Sequence, residues 1–377
     1  MKQIFFGLII SALFLALWGC EKKQANVIYD KSYIEEIKQT RKDIASNITR
    51  NSIPGASVTI AKNNKIIYSE GIGLASKELD VPMTRESKLR IGDVSQIFTN
   101  IIYLKLVEEG VLNPDSSVQH YIPEYPAKDF KLAIKHLPYH TSSIRKEEAS
   151  EVEKPGLNIT IQKGLKDFMN DPLSNPPGWF QESSMFNTNL LGAVMEKATN
   201  KKFQSLLKKY VTDTLNLTNT AIDDPFAIIS NRADFYDKSM MGQIINAPFR
   251  DMRYKAPSKG ILSTTEDLVK LGMAMQQSNY FNEEFRENLF KPCELLGGYK
   301  STMANGWLLM KDENGREYYG SGGGVTGGGA AILIYPDDNL VIAYAANLTL
   351  GTDMPVFEIA NHFLQDAESN EKQSLQD

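Results

Sequence analysis

Two β-hairpin signatures stand near opposite ends of this chain, and the pattern between them is mainly helical. Ala56 to Ala61 and Ile66 to Ser69 are short apolar or β-branched runs around Lys62-Asn63-Asn64-Lys65, with Pro54-Gly55 before them and Gly71 after. Ala330 to Tyr335 and Leu340 to Ala345, joined by Pro336-Asp337-Asp338-Asn339, spell the second hairpin. A helix flanks each on its outer side. Ser32 with Glu35 forms a capping box ahead of Ile34, Ile37, Ile44 and Ile48, a stripe that Arg41 interrupts. Thr352 or Asp353 with Pro355 starts a last helix on Val356, Ile359, Ala360 and Phe363. This order implies an α+β fold in which the two ends of the chain meet in one antiparallel sheet and the middle is inserted as a helical domain.

In that middle, Val94, Ile97, Ile101 and Leu104 follow helical spacing to a stop at Gly110. Leu191, Val194, Met195 and Ala198 form another stripe, and Ser263 with Glu266 caps a third that carries Leu268, Leu271 and Met275. The expected division is one domain over residues 32–366, with a sheet part at about 32–90 and 285–366 and a helical part at about 91–284, then a polar tail, 367–377. A chain of 377 residues with 42% hydrophobic and 23% charged residues has the composition and length to bury a large core. Lys+Arg 41 against Asp+Glu 46, with no basic stripe, argues against a nucleic-acid partner.

The first residues read as an export signal. Lys2 gives a positive start, Ile4 to Trp18 is an apolar run short for spanning a membrane, and Leu17-Trp18-Gly19-Cys20 follows. This is similar to a bacterial lipoprotein signal, with residues 1–19 removed, Cys20 acylated and residues 20–31 as a tether. An uncleaved anchor or an ordinary signal peptide is the alternative. Several acyl chains at ~0.8 kcal/mol per buried CH₂ make a lasting anchor, so the membrane is an expected partner and the bacterial envelope the expected location. The one other cysteine, Cys293, then has no intrachain partner for a disulfide.

Along residues 53–364 a set of short pieces appears in order: Ile53-Pro54-Gly55-Ala56, Leu89-Arg90-Ile91-Gly92, Leu137-Pro138-Tyr139-His140-Thr141-Ser142, Pro177-Gly178, Leu190-Leu191-Gly192, Gly260-Ile261-Leu262-Ser263-Thr264 and Gly320-Ser321-Gly322-Gly323-Gly324. Together they resemble the serine β-lactamase and penicillin-binding-protein-like hydrolases, in the branch of class C β-lactamases, D-alanyl-D-alanine peptidases and related esterases. The resemblance implies a five-stranded antiparallel sheet flanked by the terminal helices, with the helical domain on its other side. It also implies acyl transfer through three motifs. Ser-x-x-Lys opens a helix and supplies the nucleophile and its base. Tyr-x-Asn shares proton transfer and orients substrate. Lys/His-x-Gly lies on a strand whose backbone gives one N–H of an oxyanion hole.

Laid on this chain, those motifs fall on residues of other types. Asp93 stands for the nucleophile and Gln96 for its lysine; Ser183 stands for the tyrosine and Met185 for the asparagine; Ser321 replaces the cation or imidazole ahead of Gly323. Gln96 and Ser183 have no ionisation near neutrality, so neither serves as a general base. Losing the nucleophile alone costs ~10⁶-fold in related acyl-transfer chemistry. The first expectation is therefore a catalytically defective relative, which holds a cell-wall fragment, peptide or envelope protein. The second is a hydrolase of altered mechanism, with Asp93 as general base for water, for which the sequence shows no accompanying cation.

Asp93 also suits an N-cap. A further expectation puts its carboxylate in the old oxyanion hole, accepting N–H bonds near Gly323 and Gly324. Ser95, two residues on, is turned from position 93 by about 200°. Gly322 to Gly327 spells G-x-G-x-x-G, but a strand follows rather than a helix, against a dinucleotide site. His136 and His140 have four-residue spacing with Pro138 between and no acidic or cysteine partner, so no metal and no cofactor is expected.

Overall fold

The computed structural model of the protein describes residues 27–364 apart from 153, 158–159, 278 and 350–352; the expected signal peptide, Cys20, the polar tail and Thr352 lie outside the described residues. The two hairpins do share one antiparallel sheet. Its order from edge to edge is β1 (Ile28–Tyr29), β3 (Lys65–Ser76), β2 (Gly55–Lys62), β14 (Leu340–Ala346), β13 (Gly328–Tyr335), β12 (Glu317–Val325), β11 (Trp307–Lys311) and β10 (Met303–Ala304), with β4 (Val81–Pro82) on β3. The five long strands, β2, β3, β12, β13 and β14, form the centre, and short strands extend both edges. Chain ends join where β2 meets β14, with Thr59 opposite Ala343. Asn63 and Asn64 both adopt left-handed φ, 51° and 60°, as a two-residue turn between twisted strands requires.

Alternation along the strands splits the side chains into two cores. Val58, Ile60, Ile342 and Tyr344 pack with Ile37 and Ile44 of α1 (Ile34–Asn51) and with Ile359 and Phe363 of the C-terminal helix (Val356–Phe363). Ile332, Ile334, Val341 and Ala343 face the larger core shared with the inserted segment. Three helices of that segment position the site: α2 (Ser95–Glu108), α3 (Met185–Thr199) and α4 (Thr265–Gln277). Helix α2 is buried almost all round, including Ser95, Gln96, Thr99 and Asn100, as a central helix must be.

Several local expectations are corrected. Asp30, not Ser32, caps the first turn, accepting the Ser32 N–H at 3.0 Å, and the tether is shorter than its polarity implies because Ile28–Tyr29 already pair with β3. Thr264 rather than Ser263 caps α4, accepting the Asp267 N–H at 3.2 Å, while Glu266 reaches Ser69 at 2.8 Å and Arg85 at 2.6 Å. The last helix, α5 (Val356–Phe363), has Pro355 at its start with no side-chain cap; Asp353 instead accepts from Asn51 of α1 at 2.7 Å.

The middle is also less helical than its periodicity implies. A three-stranded sheet joins β5 (Leu89–Arg90), β9 (Ile261–Ser263) and β6 (Ala221–Ile222), and β7 (Tyr236–Lys238) pairs with β8 (Ile244–Asn246). Strands of two or three residues are too short to show alternation. The β5–β9 pair matters most, because it sets Gly92 and Asp93 beside the residue that precedes Gly260.

Candidate active-site cleft

Gly92 takes φ +53° and lies so close to β12 that a Cβ there would stand 2.6 Å from the Gly323 carbonyl oxygen. This approach presses Asp93 onto the strand: a Cβ on Gly323 would lie 2.1 Å from Asp93 Oδ2. The glycine run of β12 is thus the space into which the carboxylate fits. Asp93 does not cap α2. It sits inside a 3₁₀ turn, Gly92–Val94, and Val94 starts the helix with no side-chain cap. The side chain is committed elsewhere.

Its main partner is Lys259, whose Nζ is 2.5 Å from Asp93 Oδ1, with side-chain exposures of 10% and 28%. Two hydrogen bonds from α2 side chains hold the lysine's segment: Thr99 Oγ1 donates to the Pro257 carbonyl at 2.6 Å, and Ser95 Oγ accepts the Ile261 N–H at 3.3 Å. Ser95 is therefore buried against β9, turned away from the cleft. Lys259 corrects the expectation that no cation accompanies Asp93. Lys259 stands 166 residues from Asp93 in sequence, beyond the reach of local spacing; its one sequence signal is its place next to the matched piece at Gly260.

Gln96 Nε2 also donates to Asp93 Oδ1, at 3.0 Å. Behind it, His140 Nε2 is 2.8 Å from Gln96 Oε1, and the Ser184 N–H donates to His140 Nδ1 at 3.3 Å. A backbone N–H only donates, so Nδ1 is the acceptor, Nε2 carries the proton, and the Gln96 amide must turn its NH₂ toward Asp93. Burial pushes His140 down to about 4, so the imidazole is neutral at neutral pH. The chain of bonds runs one way, from backbone through His140 and Gln96, and ends on the Asp93 carboxylate. Both ring nitrogens of His140 and both polar atoms of the Gln96 amide are thereby engaged.

Asp93, Gln96 and Lys259 form the floor of a cleft of about 380 Å³, with Lys146, Glu147, Ser183 and Ser321 as its polar walls and Met303 and Leu308 as apolar ones. Four of the five motif positions, Asp93, Gln96, Ser183 and Ser321, are brought together there. Met185 is not: it is buried at the start of α3, and its N–H donates to Glu147 Oε2 at 3.0 Å. Lys146, Glu147 and His140 were not singled out by motif spacing for a cleft role; His140 lies within the matched piece at Leu137, and Lys146 and Glu147 come from the loop after it.

Gly323 and Gly324 lie on β12 opposite Ala330 and Gly329. The expected backbone donation to Asp93 is corrected: among the described residues its carboxylate accepts from Gln96 and Lys259, both at Oδ1, and Oδ2 packs on the Gly323 backbone. No group of three or more His, Cys, Asp or Glu side chains that could hold a metal occurs among the described residues.

A family model described as beta-lactamase matches residues 34–366, most of the chain. The protein belongs to the beta-lactamase family. Among curated relatives, the human serine beta-lactamase-like protein LACTB, mitochondrial, is 29% identical over 327 residues, covering 67% of this chain and 58% of its own. Protein flp of Staphylococcus aureus strain N315 is 27% identical over 239 residues, covering 61% and 47%. The chain thus spans about half the length of the curated relatives it matches. Solved structures agree in fold: a class C beta-lactamase superposes with TM-score 0.74 at 18% identity, covering 90% of this chain and 99% of that one, and FmtA from Staphylococcus aureus with TM-score 0.75 at 19%, covering 93% and 95%.

Proposed function

We propose that this member of the family is a cell-envelope lipoprotein, anchored through Cys20, whose cleft holds a cell-wall fragment, peptide or protein partner without cutting it. The observation that carries this reading is the 2.5 Å ion pair between Asp93 and Lys259. An attacking group in that place has to approach an acyl carbon as a free nucleophile. Here the group is a carboxylate, weak toward amides, whose Oδ1 already accepts from an ammonium and an amide and whose Oδ2 packs on the Gly323 backbone. The neutral His140 behind it is spent on orienting Gln96, so it takes no proton from the cleft.

Mixed charge along the walls, from Lys146 and Glu147, with Ser183 and Ser321 between, suits a ligand that carries both signs and several hydrogen-bonding groups. Equilibrium binding of soluble muropeptides to the full chain tests this, read beside turnover of a chromogenic cephalosporin and a simple ester. Saturable binding with no turnover is expected. A second reading gains one specific observation: Lys259 is a cation next to Asp93, as a carboxylate acting as general base on water would need. Ester or amide turnover that disappears in Asp93→Ala would replace the first reading with that one.

A further inference from the structure

Exposed apolar side chains gather at one end of the molecule. Leu79, in the turn after β3, lines a groove of about 950 Å³ together with Phe226, Ile228 and Phe249, all of them exposed. The β7–β8 hairpin stands beside it, since Asn246 lines the same groove, and its tip carries Met240 and Met241 at 107% and 88% exposure. Tyr236 fastens the hairpin to the turn: its hydroxyl donates to Glu78 Oε2 at 2.5 Å and accepts the Lys77 N–H at 2.7 Å. Apolar side chains exposed on a groove and on the tip of the hairpin that adjoins it mark a surface that meets something apolar.

The direction of the chain says what covers it. Strand β1 runs antiparallel to β3, with Ile28 opposite Ser69 and Tyr29 opposite Tyr68. The N-terminal end of the described strand at Ile28 therefore points toward the Ser76 end of β3 and the turn that bears Leu79. Ser69 to Ser76 is ~23 Å of strand at ~3.3 Å per residue. From Ile28 back to Cys20 the chain reaches at most ~28 Å. A lipid on Cys20 is thus tethered on a length that matches the end carrying the apolar patch.

We propose that this end is the face that lies on a phospholipid bilayer, with Met240 and Met241 entering its interfacial layer. This rests on the reading of Cys20 as the anchor. The chain is held by two signals, acyl chains and an apolar tip, and the cleft is carried at a fixed attitude to the membrane.

Peroxide oxidation of the native methionines in the full chain, mapped by peptide mass with and without phosphatidylethanolamine–phosphatidylglycerol vesicles, tests the proposal. Vesicles should slow sulfoxide formation at Met240 and Met241 several-fold. Met310, 46% exposed near the opposite edge of the sheet, should oxidise at an unchanged rate. Equal rates in a chain that floats with the vesicles overturn the proposal. Intact mass reports the lipid separately: a chain without it defeats the anchor reading, and vesicle protection of that chain or of Cys20→Ser then decides the face, its absence overturning it. Protection that appears without vesicles and grows with protein concentration assigns the patch to a second copy, and also overturns it.

Discussion

Replacing Lys259 by methionine removes the ammonium while keeping most of the side chain's volume. Asp93 is then left with one hydrogen-bond donor, the Gln96 amide at 3.0 Å. Breaking a fully buried pair costs ~3–5 kcal/mol, whereas fully exposed pairs contribute ~0–1 kcal/mol. With exposures of 10% and 28% this pair lies between those limits, and solvent reaching Asp93 together with the retained Gln96 bond brings the expected loss to about 2 kcal/mol. At ~2.1 cal/mol/K of unfolding entropy per residue, a folded domain of this size loses about 3 °C in Tm. Calorimetry on the wild type, Lys259→Met, Asp93→Leu and the double variant reads it. The double variant should return to within about 1 kcal/mol of the wild type, because neither charge is then left alone. A shift below about 1 °C in Lys259→Met would show that the pair is not the constraint we take it to be.

Three other outcomes follow from the same geometry. Gly323→Ala forces a Cβ to within 2.1 Å of Asp93 Oδ2 and 2.9 Å of its Cβ, so it should destabilise by about 1–3 kcal/mol in urea unfolding, and Asp93→Gly should suppress most of that loss. Stability should also fall in acid through His140, whose value drops from 6.5 unfolded to about 4 folded; between those values the unfolded chain binds the proton and the folded one does not. The contribution, about 3 kcal/mol, is complete above pH 6.5 and lost as pH falls toward 4, and a matching acid slope in His140→Asn would refute it. Finally, Asp93→Ser with Gln96→Lys, Ser183→Tyr and Ser321→His should gain acylation by penicillin only when Lys259 is also replaced, since its ammonium would otherwise face the new one at position 96. Met185 is left as it is in that variant because it is buried outside the cleft.

Long periodic segments were legible in the sequence. The runs at Ala56, Ile66, Ala330 and Leu340 alternate over enough residues to fix strand faces, and the convergence of the chain ends follows from them. Helices α3 and α4 showed their stripes for the same reason. Short strands such as β5, β6 and β9 carry too few residues for any period, and their pairing is a tertiary fact. The site divides similarly. Ordered motif pieces located Asp93, Gln96, Ser183 and Ser321, which do share one cleft. Residue type was a poorer guide to what Asp93 does: local rules favour a cap, but Lys259, brought in by β9, takes its carboxylate. His140 likewise showed only a spacing to His136, while its contact with Gln96 depends on its burial beneath α2.

The central claim is that this cleft no longer forms an acyl-enzyme. Intact mass of the full chain after incubation with a labelled penicillin tests it most directly, with an active penicillin-binding protein as the positive control. The account predicts an unchanged mass at every concentration and time at which the control is saturated. A covalent adduct on this chain, removed by Asp93→Ala, would contradict it.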